Sequence, residues 1–91
     1  MAVDYPKQRS DISIRAVAGE MVVLDLGGKQ IQQLNSTASF IWERCNGQRT
    51  VAEIAEELTG AFDVNHEAAR EAVEATLRRL DELGLLERAR N

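Results

Sequence analysis

With 91 residues, the chain has room for one domain and little else. Hydrophobic residues make up 44 % and charged residues 29 %, a balance that excludes an intrinsically disordered chain. The net charge of -4 counts against a nucleic-acid partner, because phosphate contacts need a concentrated basic surface.

No stretch approaches the run of about 20 apolar residues that spans a bilayer. The polar N-terminus, interrupted by Pro6, does not read as a signal peptide. A single cysteine, Cys45, cannot form an internal disulfide, so the chain reads as cytoplasmic. Aromatics are only 4 % of the residues, which leaves Leu, Val, Ile and Ala to build the core around Trp42.

Residues 1–11 show no periodicity and read as a flexible N-terminal arm. From Ile12 the pattern alternates: Ile12, Ile14 and Ala16 against Ser13, Arg15 and Val17, as a strand with one buried face requires. Ala18-Gly19-Glu20 reads as a turn. Met21 to Leu26 is an apolar run broken only by Asp25, short enough for a central strand. Gly27-Gly28 suits a tight two-residue hairpin, and Lys29 to Leu34 returns as a third strand. Consecutive hairpins give the order 1-2-3 and leave the third strand on an edge.

The period becomes helical after Leu34. Asn35 or Ser36 can cap a helix reaching about Cys45, with Ala38, Ile41, Trp42 and Cys45 on one face. Phe40 falls off that face, and is expected either under a strand or at a contact with another protein. Gly47 stands where a left-handed residue ends the helix. Thr50 and Glu53 have the spacing of a capping box for a second helix, which buries Val51, Ile54, Ala55 and Leu58 and ends near Gly60. Asn65 can cap a third helix that runs to Leu83, before Gly84. Its stripe of Ala69, Ala72, Val73, Thr76, Leu77, Leu80 and Leu83 follows the three-and-four spacing of an amphipathic helix. Leu85 and Leu86 resume an extended apolar segment, and residues 88–91 form a polar tail. The fold expected is therefore α+β and winged-helix-like: a three-stranded antiparallel sheet packed on a three-helix bundle, with a helix-turn-helix-like arrangement of the last two helices. The domain is expected over residues 12–87.

Little in the chain speaks for chemistry. Cys45 on an apolar face is first a small hydrophobe, and His66, the lone histidine, has no partner to orient it. One Cys and one His make a poor metal set, so neither a metal nor a cofactor is expected. Glu53, Glu56 and Glu57 fit the wet face of a helix. No nucleophile, base and orienting group come together, which argues against an enzyme.

The run Leu34 to Leu58, LNSTASFIWERCNGQRTVAEIAEEL, resembles the signature of the PqqD-like family, the RiPP recognition elements or peptide-modification chaperones. The residues that carry it are Leu34, Asn35, Ala38, Ile41, Trp42, Gly47, Thr50, Val51, Ile54 and Leu58. VVLDLGGKQIQQLN upstream and LRRLDELGLL downstream extend the likeness over roughly residues 12 to 86. The resemblance implies a non-catalytic domain of natural-product biosynthesis. It would bind the leader region of a ribosomally made precursor peptide as an extra strand on the third strand, beside the third helix. It also implies a modifying or processing partner, such as a radical SAM enzyme, a leader peptidase or a cyclase. Where many members have an aromatic in the third strand, this chain has Gln30, Ile31, Gln32 and Gln33, so its pocket is expected to be more polar.

The residues support the same mechanism on their own terms, since an edge strand offers unpaired N–H and C=O groups to another strand. The candidate peptide-binding residues are Lys29, Gln30, Ile31, Gln32, Gln33 and Leu34 on the strand, with Arg70, Val73, Leu77 and Arg79 on the third helix. Arg70 and Arg79 border its apolar stripe and would complement an acidic leader. Free edges and an arm leave a homodimer by strand swapping open. The alternative is a winged-helix DNA-binding regulator, but Glu67, Glu71, Glu74, Asp81 and Glu82 outnumber Arg70, Arg78 and Arg79 on the helix that would enter the groove.

Overall fold

The computed structural model describes residues 5–17, 20–25 and 30–87. The elements follow in the order β1 (Ser13–Val17), β2 (Glu20–Asp25), β3 (Gln30–Leu34), α1 (Ser36–Glu43), α2 (Val51–Ala61) and α3 (His66–Glu82). Both strand pairs are antiparallel and the sheet order is β1-β2-β3, as the pattern predicts. The Ala18-Gly19 and Gly27-Gly28 turns, Lys29 and the 88–91 tail lie outside the described residues.

Register assigns the two faces of the sheet, because directly opposed residues share a face. Ile14, Val23 and Gln32 form one rung and Ser13, Leu24 and Ile31 the next. Val23 is fully buried, so its rung faces the helices, and Leu24 with the 70 % exposed Ile31 faces outward. Helix α1 packs on β2 and β3, and no helix reaches β1. The expected buried face of β1 is therefore corrected: all five of its residues are exposed. Alternation marks two unlike faces, but burial also requires a helix long enough to cover the outermost strand. Only Ile12, just ahead of β1, packs against the core.

Short polar signals start and stop the helices. Asn35, Thr50 and Asn65 sit in extended conformation ahead of α1, α2 and α3, and each side chain accepts from the amide three residues on. Thr50 and Glu53 complete the capping box: Glu53 Oε1 accepts from the Thr50 amide at 2.8 Å. Helix α3 ends in a Schellman turn on Gly84, whose φ is +75°; Leu85 donates back to Leu80 O at 2.9 Å, and Gly84 to Asp81 O at 2.9 Å. Leu80 and Leu85 are both buried, so this turn also delivers Leu85 into the core.

The core is aliphatic around one large ring. Val23, Ile41, Trp42, Ile54, Leu58, Val73, Leu80 and Leu85 are at most 1 % exposed. Each such side chain contributes about 1.5–3 kcal/mol on burial. Ser39 is buried among them and joins helix to sheet: its hydroxyl donates to Leu34 O at 3.1 Å. Phe40 packs neither under a strand nor alone. Its ring meets Phe62 edge-on at 5.5 Å, and the Arg44 guanidinium lies 3.5 Å from its centroid.

The flexible arm expected over residues 1–11 is also corrected for its described part. Pro6 is fully buried. Gln8 donates its amide to Cys45 O at 2.8 Å and its side chain to Trp42 O at 3.0 Å, and the amides of Gly47 and Glu87 bond Pro6 O and Lys7 O. Lys7 bridges Asn46 and Gln8 bridges Leu86. So short a segment carries no period, yet its backbone groups find partners far away in sequence. Gly47, at φ +82°, turns the chain against it, and a side chain there would meet Lys7 at 3.2 Å.

Arg44 and Arg49 both hold Glu57, at 2.9 and 2.6 Å. The hydrogen bond from Arg49 leads in holding the Glu57 carboxyl below its ordinary value of 4.5, with Arg44 adding to it. A lowered folded value gives stability that is present above pH 4.5 and lost as pH falls through the folded value. Glu57 is half-solvated, so the contribution is at most about 1 kcal/mol. We predict that Glu57→Gln destabilises the chain slightly at pH 7. The difference from the native chain should shrink as pH falls below 4.5 and vanish once pH is below the lowered folded value, as followed by urea unfolding across pH.

Candidate functional site

β3 is hydrogen-bonded to β2 on one side, and no described strand lies on its other side. Its side chains alternate in exposure: Gln30 and Gln32 are half-buried, Ile31 and Gln33 exposed, and Leu34 buried in the core. The amides are tied locally. Gln33 Nε2 donates to Glu20 Oε1 at 2.6 Å, and Gln32 Nε2 to Gln30 Oε1 at 3.5 Å. These bonds spend side-chain donors and leave the outward backbone groups of the strand open to a partner.

Helix α3 packs on α2 and α1, and no Cα of α3 comes within 8 Å of a Cα of β3. The described link between the two elements is at their ends, where Gln30 Nε2 of β3 reaches Leu83 O at the C-cap of α3. Of the helix residues expected to meet a peptide, the structure leaves two at the surface and buries two. Arg70 is exposed and pairs with Glu74 at 3.3 Å one turn on. Arg79 is exposed in the last turn of α3 and has no ion pair with a described residue. Val73 is fully buried and Leu77 is 8 % exposed, so both serve the core first. A stripe read from spacing cannot separate core positions from its wettable margin.

Gln30, a candidate from the sequence, meets Leu83 and Asp25 and, through Asp25, Arg9, none of which the sequence reading placed in the site. Gln30 Nε2 donates to Leu83 O at 2.7 Å and to Asp25 Oδ2 at 3.3 Å. Asp25 is only 3 % exposed, and the same oxygen accepts from Arg9 Nη1 at 3.3 Å. Arg9 Nη1 also donates to Gly84 O at 2.8 Å, and the Arg9 amide to Leu85 O at 3.0 Å. Asp11 grips the guanidinium from outside, raising the Arg9 pKa and lowering its own. The one available signal was Asp25 itself, a carboxylate inside an apolar strand, which must find donors when buried.

Elsewhere the described residues carry little reactive chemistry. Burial pushes the Cys45 thiol up to about 12, and Sγ donates to Ile41 O at 3.2 Å, so little nucleophilic thiolate forms near neutral pH. No group of three His, Cys, Asp or Glu among the described residues could hold a metal ion. A shallow depression of about 490 Å³ on α2 is lined by Gln48, Arg49, Glu53, Glu56 and Glu57, far more polar than a ligand pocket. No helix among the described residues is long and apolar enough to cross a membrane.

Comparison with known proteins gives the same architecture. A search of curated protein sequences finds no match. The lasso peptide synthetase B1 complexed with the leader peptide superposes with a TM-score of 0.82 at 28 % identity, over 92 % of this chain and 99 % of that one. TbiB1, solved in complex with the TbiA(beta) leader peptide, gives 0.81 at 21 % identity, over 93 % and 99 %. The PqqD truncation of Methylobacterium extorquens PqqCD is a stand-alone RiPP recognition element. It gives 0.75 at 21 % identity, over 91 % and 88 %. The family profile described as coenzyme PQQ synthesis protein D (PqqD) matches residues 20–86, from the start of β2 to the buried Leu86, and the chain therefore belongs to the PqqD family.

Proposed function

We propose that this domain binds the leader region of a ribosomally made precursor peptide as a strand added to β3, with α3 as the second wall. It then presents the peptide to a modifying or processing enzyme and catalyses no step itself. The observation that carries the reading is the free β3 edge, with no described strand beyond it. Main-chain bonds along Gln30–Leu34 would supply affinity, and side chains of α3 would select sequence. Two structures of the same fold, TbiB1 and the lasso peptide synthetase B1, hold leader peptides, which supports the class of ligand.

Burial adjusts the roles of the individual residues. Arg79 takes the part of complement to an acidic leader, because Arg70 is already engaged by Glu74. Leu77 offers only the edge of its side chain and Val73 none, so both support the wall from behind. The enzyme served would be a radical SAM enzyme, a leader peptidase or a cyclase, acting in the cytoplasm. The DNA-binding alternative gains nothing: the exposed positions of α3 include Glu67, Glu71, Glu74 and Glu82 beside its arginines.

The test is a titration of isotope-labelled protein with the synthetic leader of the precursor encoded beside its gene, read by amide shifts. Shifts are expected over Gln30–Leu34 and along Arg70–Leu80. An unchanged spectrum with the leader, and a salt-dependent response to duplex DNA, would overturn the reading in favour of a regulator.

A further inference from the structure

We propose that Gln30, held in place by Asp25 and Arg9, is an end-stop that fixes the register of the peptide strand on β3. The inference rests on strand addition and deepens it. No Cα of β3 lies within 8 Å of a Cα of α3, yet the Gln30 side chain reaches the end of the helix. Its Nε2 reaches Leu83 O, the C-cap carbonyl of α3, at 2.7 Å. Asp25 lies directly opposite Gln30 in the β2–β3 register, and its Oδ2 accepts from the same Nε2 at 3.3 Å. Arg9 then ties Asp25 to Gly84 O, so the N-terminal segment, both strands and the end of α3 meet at one point.

An end-stop answers a problem that the edge itself leaves open. Backbone donors and acceptors repeat every two residues along a strand, so a slip of two preserves both the ladder and the faces. β3 has little side-chain relief to prevent this: Ile31 faces away from the helices, and Gln33 on the same face is engaged by Glu20. A strand advancing past Ile31 would have to displace the Gln30 amide from Leu83 O. It would also take a donor from a carboxylate that is 3 % exposed, where lost hydrogen bonds are costly. The peptide strand therefore lies beside Ile31–Leu34 and turns away before Gln30, which narrows the proposed main-chain pairing of Gln30–Leu34 by one residue. At that boundary the peptide needs a small residue, or one that can itself bond the Gln30 amide.

The experiment uses the labelled full chain saturated with the unlabelled synthetic leader of the precursor encoded beside its gene. Cross-strand proton contacts between β3 and the peptide report register directly, independently of affinity. The native chain is expected to show one set of contacts. Gln30→Ala removes the side chain that reaches α3. Gln30→Glu keeps its length but sets a carboxylate against Asp25 and Leu83 O. In both variants, a second set of contacts displaced by about two residues is expected. A single unchanged register in either variant, with the amide spectrum of α1–α3 retained, would overturn the end-stop alone. Absence of any peptide contact with β3 in the native chain would overturn strand addition, and the end-stop with it.

Discussion

An Ile31→Pro variant is expected to hold the leader peptide roughly 5- to 150-fold more weakly than the native chain, about 1–3 kcal/mol, because proline removes one N–H of the edge strand and its ring distorts the ladder on either side. The side chain itself is a spectator, 70 % exposed on the outer face of the sheet. The effect is therefore a backbone effect, and Gln32→Pro is the informative companion. In an antiparallel ladder, successive N–H groups point alternately to the two sides of a strand. Ile31 and Gln32 thus present one N–H to β2 and the other to the open edge. Both variants should bind weakly. Only the one that loses the bond to β2 should also lose stability, seen as a lower urea midpoint with the helical circular-dichroism signal kept. Native affinity in both folded variants would exclude pairing along β3.

The largest effect on stability is expected from Trp42→Ala, at about 3–5 kcal/mol. Trp42 is 1 % exposed and has the greatest volume of the fully buried side chains. Its backbone carbonyl also accepts from the Gln8 side chain and the Cys45 amide, so the helix that carries it is also where the N-terminal segment anchors. Domains of this size have only about 5–15 kcal/mol in total, so the loss removes between a fifth and all of it. Chemical denaturation followed by circular dichroism should show a midpoint lowered in proportion to that loss, by at least about a fifth of the native value. Trp42→Phe, which keeps most of the ring, should lose markedly less.

Local signals in the sequence were strong, and the structure follows them closely. The three caps, the capping box and Gly84 at the end of α3 stand where their neighbours call for them, because each depends on bonds within one turn. Gly47 is also at positive φ, but α1 has already ended at Glu43, and its amide bonds Pro6 O instead of closing the helix. The strand order and the free β3 edge follow from consecutive hairpins. Features that depend on distant pairing were not legible. The burial of Pro6 needs Asn46, Gly47 and Glu87 brought alongside, and the exposure of β1 follows from how far α1 reaches across the sheet. The site divides in the same way. Gln30–Leu34 could be named from the edge position alone. The connection from Arg9 through Asp25 to Gly84 links residues up to 75 positions apart and has no sequence period. Val73 and Leu77 were named from a helical stripe, which looks the same whether it faces core or groove, and the structure buries both.

The pairing of the N-terminal segment with the end of the chain has an architectural consequence. Glu87 donates its amide to Lys7 O at 2.7 Å, and the two side chains approach to 3.9 Å, so the entering and leaving strands of the domain are immediate neighbours. A polypeptide that enters and leaves at one point can be spliced into another protein as a cassette, interrupting the host by little more than the width of a strand pair. It can equally be reopened elsewhere: joining the ends through a short linker and cutting in an exposed loop would preserve every helix and the whole β3 edge. Such a domain is portable, able to stand as a separate chain or as an insert without altering its β3 edge.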